Sequence, residues 1–165
     1  MKKQNITLKM LSLLTFAVLI TIGSAAHAQT VPSFPPLTGG KSVTHPASYY
    51  KPVPTNYVGV NKKTRISAVD AWSDPATGAH GSMTHFDYGF VSPVHTHTYD
   101  YYGVTIKGVM ENYEVGVKPV KLGPGSYWYQ VGKKAHTTAC LTKGGCLVFL
   151  VQAAKFDAQV PPKED

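Results

Sequence analysis

The sequence carries little charge and almost no arginine. Asp, Glu, Lys and Arg make up 15% of the 165 residues, and Arg65 is the single arginine. The lysines are mostly scattered along the chain, whereas nucleic-acid grooves usually present clustered Lys and Arg interleaved with aromatic residues. The formal net charge of +7 is therefore no argument for a nucleic-acid partner, and we expect none.

The sequence also lacks a hydrophobic run long enough to cross a membrane. The run from Leu11 to Ile22 holds about 12 residues, whereas a spanning helix needs about 20. It follows a lysine-rich start without acidic residues and precedes the small residues "AHA", which is the order of a secretory signal peptide. We predict a signal peptide over residues 1–28 that is cleaved after Ala28. The mature protein would be periplasmic or secreted, with no membrane attachment.

Only two cysteines are present, Cys140 and Cys146, in the segment "CLTKGGC". The paired glycines between them are typical of a hairpin turn, and cysteines across the neck of a hairpin can reach disulfide distance. An oxidising compartment would keep them joined. Metal ligation by a thiolate is the alternative, but four residues of strand put Cys140 about 13 Å from His136. We therefore predict a disulfide.

No segment after the leader keeps an apolar period of 3.6 residues over three turns. From Arg65 onward, short runs rich in Val, Ile, Tyr, Phe and Thr are separated by Gly or Pro at intervals of about 8 to 12 residues. The runs are "RISAVDAW", "SMTHFDYGF", "YYGVTIK", "MENYEVGV", "SYWYQV" and "CLVFLVQAA". This pattern predicts an all-β sandwich or barrel. The last run is apolar on both faces and should lie in the middle of the packed layers.

Proline marks the segment that precedes these runs. Residues 29–60 contain "TVPSFPPLTGG" and "HPASYYKPVPTNY", and proline cannot donate to a sheet ladder. We predict an extended arm over residues 29–60, a β-barrel over 61–157 and a polar tail over 158–165. A disordered linker is the alternative for the arm. An arm exchanged between subunits would join two copies as a homodimer.

The segment "PVHTHTYDYY" holds two of the seven histidines, His95 and His97. On a strand, residues i and i+2 face the same side with Cα atoms about 6.6 Å apart, so the two imidazoles can converge on one metal ion. A third donor must come from another strand, and His136 begins the strand-like "HTTAC". The pattern predicts a site for one divalent metal ion, formed by His95, His97 and His136.

These residues resemble the first motif of the cupin superfamily, which consists of small jelly-roll β-barrels. That motif is glycine, five residues, His-x-His, three or four residues, glutamate, six residues, glycine. The chain has Gly89, His95, His97 and Gly108 at those spacings, with Tyr101 in the place of the glutamate. The motif is fairly specific, and only its carboxylate is missing.

The second cupin motif is matched more weakly. Gly125 and His136 have the expected separation, but Val131 and Lys133 stand where proline and glycine are usual, and Cys140 stands where asparagine is common. The resemblance covers about residues 65–157 and is to exported cupins of undefined function. It implies a single cupin-type jelly-roll β-barrel preceded by the extended arm.

Metal-dependent cupins bind their metal with the two histidines, the glutamate and the later histidine. The resemblance places Tyr101 in the carboxylate position. A phenol is a poor ligand at neutral pH because its pKa is near 10 unless a metal lowers it. Glu111 and Glu114, on the next predicted strand, are more remote carboxylate candidates.

Asp100 is the nearest carboxylate. Strand parity puts it on the face of Tyr102, Val104 and Ile106, and that apolar face suits the barrel interior. A small bulge after His97 would then deliver Asp100 to the metal. Two arrangements follow: three histidines with open positions, as in the thiol dioxygenases, or three histidines with Asp100.

The resemblance implies an exported metal-binding cupin that acts on a small organic molecule. Imidazole suits zinc, iron, manganese, nickel and copper, of which we favour iron or zinc. Oxygenase chemistry is the leading subclass, with Tyr101, Asp100 or His85 moving protons. Otherwise His80 and His85 are expected to be ordinary strand residues.

Three alternatives stay open. The protein could be a non-enzymatic sensor or carrier of a metal or a small ligand. It could be a structural dimer module with a vestigial pocket. The barrel could also be free of metal, with His95 and His97 hydrogen-bonded to Tyr99 or Asp100.

Overall fold

The computed structural model describes residue 42, residues 44–73 and residues 75–163. The predicted signal peptide, its cleavage after Ala28 and the first part of the predicted arm lie outside these residues. The elements are a short 3₁₀ helix, Ala47–Tyr49, and eight strands: β1 (Val53–Val58), β2 (Arg65–Trp72), β3 (His80–Phe86), β4 (Tyr101–Lys107), β5 (Met110–Glu114), β6 (Tyr127–Gln130), β7 (His136–Cys140) and β8 (Cys146–Gln152). None of the described helical segments has the length and apolar character of a membrane span.

The larger sheet has six antiparallel strands in the order β1-β2-β3-β8-β4-β6. Strands β2 and β4 coincide with the sequence runs "RISAVDAW" and "YYGVTIK". Strand β8 lies between β3 and β4, and its Val148 is fully buried. The run that is apolar on both faces therefore has the central position that its composition predicts.

The smaller sheet pairs β5 with β7. Residues 91–96 run beside β7 through the bridges of Val91 with Ala139 and of His95 with His136. Residues from both sheets meet in one core, which consists of Phe86, Phe90, Tyr101, Met110, Trp128, Cys140, Cys146 and Val148. The predicted all-β class is confirmed, with two packed antiparallel sheets.

Strand β1 lies within the segment predicted as an arm. Val53 pairs with Ala68 and Val58 with Arg65, and the register shifts between Pro54 and Val58. The strand is at the edge of the larger sheet, where one side needs no ladder donors, so Pro54 is tolerated. The described structure therefore begins the barrel at Val53, earlier than the boundary expected at residue 61.

The described part of the predicted polar tail also pairs with the barrel. Thr96 and Gln159 exchange two backbone hydrogen bonds of 3.2 and 2.9 Å, and the backbone N–H of Lys163 donates to the Thr96 hydroxyl over 3.0 Å. This segment thus runs beside the His-x-His segment instead of leaving the domain.

The inward face of β4 is opposite to the predicted one. Tyr101 and Thr105 are buried, whereas Tyr102, Val104 and Ile106 are exposed. Hydrophobicity selects the wrong face because several buried positions of the larger sheet carry polar side chains. These side chains belong to His80, Ser82, Thr84, Thr105, Gln130 and Gln152.

The predicted disulfide is confirmed. It joins Cys140, the last residue of β7, to Cys146, the first residue of β8, with the two Cα atoms 5.8 Å apart. Both cysteines are fully buried. The bond therefore ties the smaller sheet to the centre of the larger one.

Replacing both cysteines with alanine should lower the free energy of unfolding by about 2 kcal/mol, because a disulfide that closes a short loop removes a modest amount of entropy from the unfolded chain. Chemical denaturation without reductant measures the change. The wild-type chain in reductant is the matched comparison. A double variant as stable as the oxidised wild type would contradict this expectation.

Candidate metal centre

Backbone pairing places His136 beside the His-x-His segment. The N–H of His95 donates to the carbonyl of His136 over 3.1 Å, and the N–H of His136 donates to the carbonyl of His95 over 3.0 Å. Residues that exchange such bonds are directly opposite each other, with their side chains on the same face. The two ring centroids are 4.3 Å apart. The contact between distant parts of the sequence is therefore specified by strand register.

His97 joins the pair through the two-residue period of an extended chain. Its ring centroid lies 4.9 Å from that of His95 and 5.3 Å from that of His136. The potential ligand atoms of the three histidines all lie within 4.8 Å of one another. His95, His97 and His136 are buried, with 9%, 6% and 0% of the residue exposed. The structure thus brings together the three histidines singled out in the sequence.

Nδ1 of each of the three rings forms a hydrogen bond with a backbone carbonyl oxygen. The bonds run from His95 to Pro93, from His136 to Lys134 and from His97 to Asp157. The first two are 2.9 and 3.0 Å long. A carbonyl oxygen only accepts, so Nδ1 carries the proton and Nε2 keeps a lone pair. Bonds of this kind fix the tautomer and orientation of metal-ligating histidines.

Burial lowers the pKa of all three imidazoles. The pKa of His97 falls to about 4 and that of His136 to about 3, and the pKa of His95 is lowered as well. Desolvation is the main cause, since the interior disfavours the charged ring, and the neighbouring imidazoles lower the pKa of His97 and His136 further. The rings are neutral at pH 7, which is the form that binds a metal ion.

Tyr101 reaches the histidine cluster from the carboxylate position of the motif. Its hydroxyl lies 3.3 Å from Nε2 of His136 and donates to Oδ1 of Asn112 over 3.1 Å. Burial raises the pKa of Tyr101 to about 12, although the nearby Trp128 indole and Thr138 hydroxyl offset part of the rise. The phenol is therefore protonated at neutral pH. It is a hydrogen-bonding neighbour of the cluster and no anionic ligand.

Asn112, which sequence reasoning missed, holds the Tyr101 phenol in place. Its Oδ1 also accepts from the Thr138 hydroxyl over 2.7 Å, and its Nδ2 donates to Oε1 of Gln130 over 2.9 Å. Asparagine is depleted from strands, so its position in the middle of "MENYE" is the one sequence feature that could have identified it.

Asp100 does not reach the histidines. It is exposed, its Oδ1 accepts from the backbone N–H of Gly132 over 2.7 Å, and its Oδ2 accepts from the Tyr129 hydroxyl. The expected bulge that would deliver Asp100 into the barrel is therefore wrong. Tyr101 takes the inward position, and donors outside the barrel satisfy the Asp100 carboxylate.

No carboxylate belongs to the histidine cluster in the part of the chain that the structure describes. Glu111 and Glu114 lie on β5, where Glu114 is exposed. His80 is buried on β3, and His85 is partly exposed with its Nδ1 3.9 Å from a carboxylate oxygen of Asp87. Neither histidine joins the cluster, in agreement with their expected role as strand residues.

Asp157 also escaped the sequence analysis. Its backbone carbonyl accepts from His97, and its carboxylate accepts from the Thr98 backbone N–H over 2.9 Å. A backbone acceptor leaves no trace in the type of its side chain. The sequence therefore could not reveal this support for His97.

Lys133, at the position where the second cupin motif usually has glycine, has a left-handed backbone conformation. Gly89 and Gly108 of the first motif have φ angles of +73° and +84°, and Lys133 has a φ of +62°. Its N–H donates to the carbonyl of His97 over 2.7 Å. A non-glycine residue in this conformation costs about 1 kcal/mol, so the departure from the motif preserves the local geometry beside His97 with some strain.

A cavity of about 460 Å³ lies next to the cluster. His95, His97 and Tyr101 line it, and most of the remaining wall is apolar. In that wall the rings of Tyr57 and Phe156 meet edge-on, with centroids 5.4 Å apart. A small molecule in this cavity would lie against the histidines.

The fold is shared with several solved structures of low sequence identity. The polyketide cyclase RemF from Streptomyces resistomycificus is 14% identical, with a TM-score of 0.57 over 72% of this chain and 84% of the cyclase. The DMSP lyase DddQ from Ruegeria pomeroyi DSS-3 is 14% identical, with a TM-score of 0.55 over 72% of this chain and 64% of the lyase. A cupin-like protein (tm1010) from Thermotoga maritima msb8 is 12% identical, with a TM-score of 0.51 over 65% of this chain and 84% of that protein.

At these identities the likeness concerns the fold, which is the cupin-type jelly roll. No curated protein is significantly similar to the chain. A family model does match, and residues 55–163 fit it, from strand β1 to the segment that pairs with Thr96. The chain is a cupin-fold member of the family described as Domain of unknown function (DUF4437).

Proposed function

We propose that the protein is an exported metal-dependent cupin that binds one divalent cation and acts on a small organic molecule. The observation that carries the proposal is the convergence of three neutral imidazoles within 4.8 Å, each with Nδ1 held by a backbone carbonyl. Such a donor set fits zinc, iron, manganese, nickel or copper. We favour iron or zinc.

Three nitrogen donors fill only part of the coordination sphere of these metals. His95 and His97 line the apolar cavity, so the open positions would be available to a molecule held there. A cation bound by the three histidines would act as a Lewis acid toward that molecule. The surrounding wall would exclude bulk water and strengthen polar interactions inside the cavity.

Tyr101 is the residue that we assign to proton transfer. Tyr101 lines the cavity, and its hydroxyl stays protonated because burial raises its pKa to about 12. A protonated phenol beside the substrate can donate a hydrogen bond, and with so high a pKa it would give up its proton only to a strongly basic group. Asn112 orients this hydroxyl.

Oxygenase chemistry remains the favoured subclass, and a non-enzymatic metal or small-ligand binding protein is the second candidate. One observation favours the second: the Tyr101 hydroxyl already donates to Asn112, so its proton is engaged within the protein. Export is supported by the leader-like start of the sequence and by the Cys140–Cys146 disulfide, since disulfides persist in oxidising compartments.

The processed chain, beginning at Gln29 and recovered from the periplasm or the medium, should contain about one divalent metal ion per chain, because three converging imidazoles form a single site. Elemental analysis of the purified protein measures the metal, and N-terminal sequencing checks the cleavage site. The metal content of His95→Ala should be at least about tenfold lower than that of the wild type, since removal of a ligand sharply weakens metal binding.

His85→Ala is the matched control, because His85 is a partly exposed histidine outside the cluster, and it should retain the wild-type metal content. Wild-type protein that stays free of metal after incubation with iron(II) or zinc would contradict the metal site. Recovery of the unprocessed chain from the cytoplasm alone would contradict export.

If the protein is an oxygenase, the iron-loaded wild-type chain should consume dissolved oxygen with at least one member of a panel of thiols, β-diketones and catechols. His95→Ala should show no consumption above the background of free iron, because the three-histidine site holds the iron. An oxygen electrode measures the rate. Metal-loaded protein that binds members of the panel without turnover would favour the binding-protein alternative.

A further inference from the structure

Two buried hydrogen-bond donors in the cavity wall lack a partner among the described residues. They are Nε1 of the Trp128 indole, which lies near the Tyr101 hydroxyl but forms no hydrogen bond with it, and Nε2 of the Gln152 amide. The two side chains are 8% and 4% exposed, and both line the cavity. Buried polar groups almost always form hydrogen bonds, because leaving one unpaired costs free energy. These two donors therefore point to an acceptor that occupies the cavity.

Strand register places the two residues on the two strands that flank β4. Gln152 on β8 is opposite Tyr101 on β4, and Trp128 on β6 is opposite Gly103, the next inward position of β4. The indole lies across Gly103: a Cβ added there would be 2.1 Å from Cζ2 and 2.3 Å from Cε2, the carbon that bears Nε1. The edge of the ring that carries Nε1 thus lies over β4, the strand that separates β6 from β8.

Tyr101 connects this pair of donors to the histidine cluster. Gln152 is its direct cross-strand neighbour, and the Tyr101 hydroxyl lies 3.3 Å from Nε2 of His136. An acceptor held by Trp128 and Gln152 would therefore lie on the cluster side of the cavity. β1, β2 and the turn between them line the cavity from the other edge of the larger sheet.

The other residues that line the cavity indicate the chemical character of the rest of the ligand. The apolar lining includes Ile66, Phe86, Phe90, Leu150 and Phe156. Lys62 and Asp70 line the wall near β1 and β2 with opposite charges, so they do not select a charged ligand between them. Two N–H donors in the wall of one cavity match a group with two acceptor oxygens, and hydrogen bonds to an ionised group are the stronger kind.

We propose that the cavity binds a small monocarboxylate with an apolar body, whose carboxylate oxygens accept hydrogen bonds from Trp128 and Gln152. This proposal names the substrate class of the site described under the proposed function and rests on it for catalysis. The binding contacts themselves come from β6 and β8 and need no metal. A cation on the histidines would add attraction for the same carboxylate.

The test measures the dissociation constants of benzoate, phenylacetate and butyrate for the metal-loaded processed chain by calorimetry. At least one acid should bind saturably and more tightly than acetophenone, which has a single neutral carbonyl. Trp128→Phe keeps an aromatic ring over Gly103 but removes the N–H, and Gln152→Leu removes the amide. Each should weaken binding about tenfold or more, as expected for the loss of a hydrogen bond to a charged group.

Gln152→Glu should weaken binding further, because it sets a second carboxylate against the ligand. Tyr127→Phe is the control for Trp128→Phe, since Tyr127 is an exposed aromatic residue of the same strand, and it should leave the affinity unchanged. Thermal unfolding checks that each variant is folded. If one variant does not fold, the other variant and the comparison with acetophenone still decide the outcome.

The same measurements with His95→Ala separate this proposal from the metal site. Carboxylate binding that depends on Trp128 and Gln152 and persists in metal-free His95→Ala supports the carboxylate site independently of the metal, whose own test is the metal content of the wild-type chain. No saturable binding of any acid overturns the carboxylate site, even if the metal is present. Equal affinity for acetophenone, or unchanged affinity in both the Trp128 and Gln152 variants, overturns it as well.

Discussion

The pairing of His95 with His136 is the interaction on which the site depends. Two backbone hydrogen bonds, 3.0 and 3.1 Å long, fix the two residues opposite each other, and every further feature of the cluster follows from that register. His97 is on the same face because it is two residues away. A shift of one residue in this pairing would turn the side chains of one segment to the other face. The geometry of the donors is therefore a property of the sheet, and side-chain packing only refines it.

The second constraint is that polar groups inside the barrel must find partners. Backbone carbonyls accept from Nδ1 of each clustered histidine, and Oδ1 of Asn112 accepts from the hydroxyls of Tyr101 and Thr138. These bonds leave Nε2 of each ring without a proton, so the cluster presents three nitrogen lone pairs whose ligand atoms lie within 4.8 Å of one another. Burial keeps the imidazoles neutral at neutral pH, which is the form that a metal ion requires.

The sequence identified the strands and the histidines because both have periodic patterns. The runs that became β2 and β4 were recognisable by composition, and His95 and His97 by their spacing. The prediction that Asp100 faces the barrel interior was wrong because the inward face of β4 was chosen by hydrophobicity. On β4 the residues Tyr101 and Thr105 face inward and the aliphatic Val104 and Ile106 face outward, so the rule selected the wrong parity. The carbonyl of Asp157 could not be found at all, since its role does not depend on its side chain.

Tyr101 lies between two glutamines of the larger sheet, Gln130 on β6 and Gln152 on β8, and the two differ in their hydrogen bonds. On the β6 side, Gln130 is fully engaged: its Oε1 accepts from Asn112 and its Nε2 donates to the carbonyl of Val131. On the β8 side, the Gln152 amide nitrogen is buried and has no hydrogen-bond partner in the part of the chain that the structure describes. Gln130 shows that a buried glutamine in this sheet can form hydrogen bonds with both ends of its amide. A buried donor without a partner lowers the stability of the fold, so the needs of folding do not explain the unpaired nitrogen of Gln152. The unpaired donors therefore belong to the cavity and its occupant, while the closed network beside them keeps Tyr101 and the histidines in place.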